Sequence, residues 1–464
     1  MPMKLPRILL AAGASGSGKT LITCGLLQAL VNRGLKVASF KCGPDYIDPM
    51  FHSQVIGTKS RNLDTFFTGK NRTRYLLEKN GEGADLAVME GVMGYYDGVG
   101  GTTFLASAYD LADTTDTPVI LIVNSKGMSV SLAAYIKGFV EYQKESHIKG
   151  VIFNQMSPML YPRMKKLIES TLPVKVLGYV PKVEDCVIES RHLGLVLPEE
   201  IPELKKRLNA LAEVLEQTLD IQGILSLSRE APSFSCQENL EEEEKAFGYH
   251  TEKPVRIGVA KDEAFCFFYE DNFRLLREMG AELVWFSPLH DRHLPEELDG
   301  LLLYGGYPEL HAKTLEENTA MRQEIFQALQ GGMPAMAECG GFMYLHETLE
   351  DMKDGQMRKM TGVLPGNAYR TPKLGRFGYI TLTEAKEEGF GPIPAHEFHY
   401  YDSSNCGEAF YAAKPQSTRG WNCMHRTDTL LAGFPHLYYY GNPRVPGMFL
   451  ETCEQYRKKR KQEK

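Results

Sequence analysis

Residues 7–20, Arg7-Ile8-Leu9-Leu10-Ala11-Ala12-Gly13-Ala14-Ser15-Gly16-Ser17-Gly18-Lys19-Thr20, read as an apolar strand running into a glycine-rich turn. Leu21 to Val31 then carries helical periodicity. The stretch 13–20 satisfies the phosphate-loop pattern Gly-x-x-x-x-Gly-Lys-Thr in full, with the strand before it and the helix after it that the pattern requires. Glycines let backbone N–H groups turn inward around phosphate oxygens, and the helix N-terminus adds a favourable field. Gly13, Gly16, Gly18, Lys19 and Thr20 are therefore candidate ATP-binding residues. Lys19 would reach the β- and γ-phosphates, and the Thr20 hydroxyl would face Mg²⁺.

Outward from this turn, short β-rich runs recur at Val37–Phe40, Leu86–Met89, Val119–Val123 and Val151–Phe153, alternating with helical stretches. Such alternation implies an α/β fold, a mostly parallel, doubly wound sheet with helices on both faces. A second α/β series starts at Val255–Val259 and continues through Leu283–Phe286, Leu301–Tyr304 and Ala335–Ala337. Between them, residues 223–253 show little periodicity and contain the acidic run Glu241–Glu244, which reads as a linker. The expected organisation is a nucleotide-binding domain over 1–222, a linker over 223–253, a second domain over 254–448 and a basic tail over 449–464. The run Arg457-Lys458-Lys459-Arg460-Lys461 in that tail reads as solvated and disordered.

At 464 residues the chain exceeds one ordinary core, and its 43% hydrophobic and 24% charged content is that of a globular protein. A net charge of −7 argues against a general nucleic-acid binder, which needs a basic surface. No apolar run approaches the roughly 20 residues that span a bilayer, so no membrane association is expected. The short apolar run after Met1–Leu5 does not resemble a cleaved leader. Nine scattered cysteines without a Cys-x-x-Cys pair fit reduced thiols and a cytoplasmic setting.

Carboxylates stand where strands of the first domain should end. Asp45 and Asp48 follow the second strand in Lys41-Cys42-Gly43-Pro44-Asp45-Tyr46-Ile47-Asp48, and Glu90 and Asp97 lie in Glu90-Gly91-Val92-Met93-Gly94-Tyr95-Tyr96-Asp97-Gly98. The carboxyl ends of parallel strands form the ligand crevice, so these acids could face the phosphate loop. The second chemical signal is Ala337-Glu338-Cys339-Gly340-Gly341-Phe342. A strand entering a small-residue turn exposes a nucleophile and offers backbone N–H groups to an oxyanion. A thiol nucleophile needs a base. His396, His399 and His436 all lie downstream, and chemistry alone does not separate them. Gly305-Gly306-Tyr307-Pro308-Glu309 closes another strand and could add oxyanion donors.

The segments KCGPDYIDPMFH (41–52), Asn62-Leu63-Asp64, EGVMGYYDG (90–98) and Ser190–Leu195 together resemble the cobyrinic acid a,c-diamide synthase family. The first half of that family is similar to dethiobiotin synthetase. The resemblance implies that Thr20, Asp45 and Glu90 gather Mg²⁺, that Lys41 lies near the transferred phosphate, and that Asp48 positions the substrate. GGYPEL (305–310), the Cys339 turn and HEFHY (396–400) resemble the class I glutamine amidotransferase domains of cobyrinic and cobyric acid synthases, which maps the base onto His436. One departure stands out. Ordinary class I members carry a glutamate two residues after that histidine, where this chain has Tyr438.

The implied reaction consumes ATP and glutamine to amidate the a and c acetates of cobyrinic acid, with Mg²⁺ as cofactor. Partners are then a corrinoid or related tetrapyrrole, and a homodimer is compatible with this reading. The same chemistry on nickel-sirohydrochlorin or hydrogenobyrinic acid is an alternative. From a different class comes a phosphate-loop switch ATPase carrying an inactive amidotransferase fold.

Overall fold

The computed structural model describes residues 4–57, 59–183, 190–191, 194–195, 197–198, 201, 203–234, 253–385 and 389–463. The chain forms two compact units, Met1–Leu240 and Glu241–Lys464.

The first unit is built on seven parallel strands: β1 (Arg7–Ala12), β2 (Val37–Cys42), β3 (Arg61–Leu63), β4 (Leu86–Glu90), β5 (Val119–Asn124), β6 (Ile148–Asn154) and β7 (Lys175–Val180). Their spatial order is β3-β2-β4-β1-β5-β6-β7. The near-continuous apolar runs follow from burial on both faces: all six residues of β1 are buried. Strand β1 lies between β4 and β5, and β4 lies between β1 and β2, with Leu10 and Lys41 both in register with Glu90. The phosphate loop, Lys41 and Glu90 thus share one sheet edge. Helix α1 (Lys19–Asn32) follows the loop and is apolar on most of its surface, because the sheet covers one side and the helix Leu204–Thr218 the other. Gly25 permits that second contact, since a Cβ there would stand 2.7 Å from a methyl of Leu215.

The second unit carries a six-stranded sheet in the order 281–286, 255–260, 300–303, 335–338, 430–433, 425–426, parallel except at the last strand. Beside it stand an antiparallel sheet in the order 420–423, 410–413, 376–384, 393–399, 436–437 and a mixed four-stranded sheet of 357–359, 348–350, 367–370 and 401–403.

Two expectations need correction. The segment from 223 is not linker throughout: Ile221–Arg229 is a helix capped by Asp220, with Ile224 and Leu227 fully buried. Arg7 also donates to the Pro232 carbonyl at 2.8 Å, which ties this segment to the first unit. The acidic run 241–244 lies outside the described residues. The basic tail is not a loose end either. Arg444–Glu463 is one helix that buries Leu450 and Cys453. Arg457 donates to the carbonyls of Lys253 and Pro254, and Arg460 pairs with Asp299 at 2.9 Å. Arg457 and Arg460 thus serve protein acceptors, while Lys458, Lys459 and Lys461 face solvent. Among the described residues no helix is long and apolar enough to cross a membrane.

Candidate active sites

The phosphate loop closes with Gly16 at φ 74° and Gly18 at φ 86°, the left-handed geometry that turns successive N–H groups to one side. From the end of β6, Asn154 donates to the Ser17 carbonyl at 2.9 Å and fastens the loop. The Lys19 ammonium rests on the carbonyls of Met93 (2.6 Å) and Ala14 (3.3 Å), ready to be claimed by phosphate oxygens. Burial, and then Lys41, lower its pKa to about 8.

Behind the loop is a buried charge cluster. The Thr20 hydroxyl donates to Glu90 Oε1 at 2.8 Å and reaches Asp48 Oδ2 at 3.3 Å. Lys41 donates to Asp48, and at 2.9 Å to Glu90. His52 bridges Glu90 Oε2 and Ser39 Oγ, each at 2.8 Å. Burial works against the charge on Lys41, but Asp48 and Glu90 override it and hold the ammonium protonated. Burial would likewise raise Glu90, yet Lys41 and His52 hold it well below the carboxylate range. Asp48, buried and beside Asp45, is pushed well up. The Thr20 hydroxyl and the Glu90 and Asp48 carboxyls thus lie together, hard oxygen donors of the kind that suit a dication.

The acids expected to gather metal are not placed alike. Glu90 and Thr20 touch. Asp45 instead caps helix α2 (Ile47–Ile56), its Oδ1 accepting from the N–H groups of Ile47 and Asp48 at 2.9 and 3.0 Å. Asn62 holds this loop through the carbonyls of Gly43 and Asp45. Asp97 accepts from Gly94 N–H at 3.0 Å beside the loop. Among the described residues no group of three His, Cys, Asp or Glu side chains forms a cage. A Mg²⁺ held through one or two carboxylates and substrate phosphates needs none.

In the second unit, the turns after three neighbouring parallel strands converge. Cys339 follows Ala335–Glu338 at φ 46°, ψ −104°, a strained elbow that starts the short helix Gly340–Tyr344. Gly305 follows Gly300–Leu303, and His436 follows Leu430–Gly433. A Cβ on Gly305 would lie 2.6 Å from His436 Cε1 and 3.4 Å from Cys339 Cβ, so thiol and imidazole flank this glycine together. His436 is thus the histidine brought to the thiol. His396 pairs with it across the strands and stacks on its ring at 4.9 Å between centroids. His399 stacks on Phe434 at 4.0 Å and bonds the Tyr401 carbonyl. Burial, then Glu309, pushes the Cys339 thiol well up, and burial pushes His436 well down. A Cβ on Gly340 would meet Gly306 N at 3.1 Å, which sets the N–H groups of the GGYPEL turn beside the elbow.

Residues 8–195 match the CobQ/CobB/MinD/ParA nucleotide binding domain, and residues 256–441 match the CobB/CobQ-like glutamine amidotransferase domain. A cobyrinate a,c-diamide synthase from Caldanaerobacter subterraneus is 37% identical, covering 98% of this chain and all of that protein. The chain belongs to the cobyrinate a,c-diamide synthase family. Enzymes of the same name from Clostridium acetobutylicum and Priestia megaterium are 38% and 36% identical over 94% and 98% of this chain. Family membership gives both constellations a shared context. His52, Asn154 and Glu338 join these sites without a sequence motif that marks them. His52 lies within the quoted family segment and Glu338 adjoins the thiol, but His52 meets its partners through the packing of helix α2 on β2, and Glu338 meets His436 beside the paired strands 335–338 and 430–433.

Proposed function

We propose that the protein makes two amides in succession on the a and c acetates of cobyrinic acid, using ATP and glutamine. The observation that carries this reading is the presence, in one chain alike over its whole length to synthases of that name, of both a phosphate-loop charge cluster and a thiol–imidazole elbow.

In the second unit, Cys339 loses its proton to His436 as its sulfur attacks the glutamine side-chain carbonyl. The oxyanion falls where N–H groups of the Gly305–Gly306 turn and the elbow converge. The C–N bond breaks, the imidazolium returns its proton to the departing ammonia, and water then cleaves the thioester to glutamate. In the first unit, a substrate acetate oxygen attacks the γ-phosphorus of ATP, giving an acyl phosphate and ADP. Ammonia attacks the acyl carbon and phosphate leaves. Lys41 and Lys19 face the phosphates and neutralise the charge they carry, while Asp48 orients the acceptor. Thr20 and Glu90, with Asp45 close by, would hold Mg²⁺, which supplies charge neutralisation on the β- and γ-phosphate oxygens.

We place the reaction in the cytoplasm, consistent with the seven described cysteines all being free thiols; a homodimer is compatible with this reading. The test is to incubate the protein with glutamine, MgATP and cobyrinic acid and weigh the products. Stepwise exchange of one and then two –OH groups for –NH₂ is expected. Unchanged cobyrinic acid, alongside amidation of nickel-sirohydrochlorin or hydrogenobyrinic acid, would move the assignment to that acceptor.

A further inference from the structure

We propose that Glu338 is the positioning residue of the thiol–imidazole pair, holding His436 from the strand that also delivers Cys339 and so filling the role that Tyr438 does not. This rests on the glutamine-hydrolysing reading above. Tyr438 is committed elsewhere: its hydroxyl donates to Asp271 at 2.9 Å and its ring packs edge-on against Tyr269. Glu338 Oε2 lies 3.8 Å from His436 Nδ1, with both side chains buried. That is ion-pair distance between the carboxylate and the imidazole. Burial raises the Glu338 carboxyl, and the backbone N–H of Leu437, next to His436, faces it and favours its charged form. Its Oε1 is buried without a hydrogen-bond partner, leaving capacity on the carboxylate.

The remaining ionisable neighbours do not offer this support. His396 and His399 face His436 from the strand Ile393–His399, and as cations they would oppose an imidazolium. Burial lowers His396 to about 3, so it stays neutral. The hydroxyls of Tyr304 and Tyr439 bond each other at 3.1 Å beside Glu338. Glu309 and Glu397 act on Cys339, as Glu338 does too, and it is Glu338 that stands 3.8 Å from His436.

The Glu338 carboxyl, raised by burial well above its ordinary range, enters the step as the carboxylate. Its charge and that of the imidazolium offset each other where either alone would be costly at this depth. When the Cys339 S–H bond breaks and the proton passes to His436, the new cation appears at ion-pair distance from Glu338. Glu338 itself forms no bond to substrate, and the proton leaves later with ammonia.

The experiment uses the full chain and two variants, Glu338→Gln and Glu338→Asp. Three quantities are read: glutamate release from glutamine without corrinoid, amidation driven by ammonium salts, and the pH dependence of Cys339 alkylation by iodoacetamide. Glu338→Gln is expected to lower kcat for glutamine about 10²-fold or more, by analogy with losing the acid of a hydrolytic triad. The glutamine KM and the ammonia-driven rate should hold, while the alkylation limb should move about one pH unit upward. Glu338→Asp should fall between. A glutamine kcat within about threefold of wild type, or an unmoved limb, overturns the proposal. If Glu338→Gln also loses ammonia-driven amidation, Glu338→Asp decides: an alkylation limb coincident with wild type overturns the role, an intermediate one supports it. Wild-type protein that releases no glutamate sinks the amidotransferase reading as well. Wild-type turnover matched by Glu338→Gln sinks the role of Glu338 alone.

Discussion

Gly305→Ala tests the thiol–imidazole geometry without touching either reacting group. The added methyl would stand 2.6 Å from His436 Cε1 but 3.4 Å from Cys339 Cβ. Relaxed carbon–carbon contact lies near 3.5–4.0 Å, so the thiol side tolerates the methyl while the imidazole must retreat by about 1 Å. It has little room, because His396 is stacked on its ring and is itself fully buried. Misplacing a catalytic group by about 1 Å costs on the order of 10²-fold in rate, or about 2.7 kcal/mol of barrier. Overpacking adds a stability cost of about 1–3 kcal/mol, to be followed by urea unfolding. The assay is glutamate release at saturating glutamine, run beside amidation driven by ammonium salts. The expected result is a roughly hundredfold loss in the first and an unchanged second. A variant that hydrolyses glutamine within about twofold of wild type would refute the placement of His436 against Gly305. Equal loss in both assays would show that the methyl acts on folding rather than on the base.

Cys339→Ala should abolish use of glutamine and leave ammonia-driven amidation intact; loss of both would refute the division of labour between the two units. Nucleotide binding should be pH-dependent through Lys19, whose pKa burial lowers to about 8. Below that pH the ammonium is already formed and affinity is flat. Above it, binding must take up a proton, so the ATP Kd should rise by up to about tenfold per pH unit, read by calorimetry. A flat profile through about pH 9.5 would refute a buried, depressed Lys19 facing phosphate. Leu450→Ala, at a fully buried site of the terminal helix, should destabilise the protein by about 2–5 kcal/mol in urea unfolding. A cost below about 0.5 kcal/mol would return that helix to the status of a solvated tail.

The two chemical centres were legible because each is encoded in contiguous residues whose backbone is forced. Glycines at positive φ shape the phosphate loop, and small residues around Cys339 permit its left-handed turn. Fold class was legible for the same reason: strands buried on both faces write themselves as unbroken apolar runs, as in β1. The terminal helix was less legible, because its cationic run overlies a second pattern. Val445, Phe449, Cys453 and Arg457 recur at four-residue spacing, one face of a helix, and all four are buried. The small antiparallel strands of the second unit were missed because they are short and partly exposed, and Met357–Lys359 buries none of its three residues. Pairing across the sheet was beyond reach in a different sense. Glu90 meets Lys41 because β4 lies beside β2, and His52 because helix α2 packs on β2. Glu338 is the sharpest case, since it adjoins Cys339 in sequence and adjacent strand residues point to opposite faces. That rule sets it apart from the thiol's chemistry. The strained turn at Cys339 ends the alternation, and the strand ending at Gly433 brings His436 to both residues. The conformation that exposes the nucleophile thereby also lets its neighbour stand beside the base.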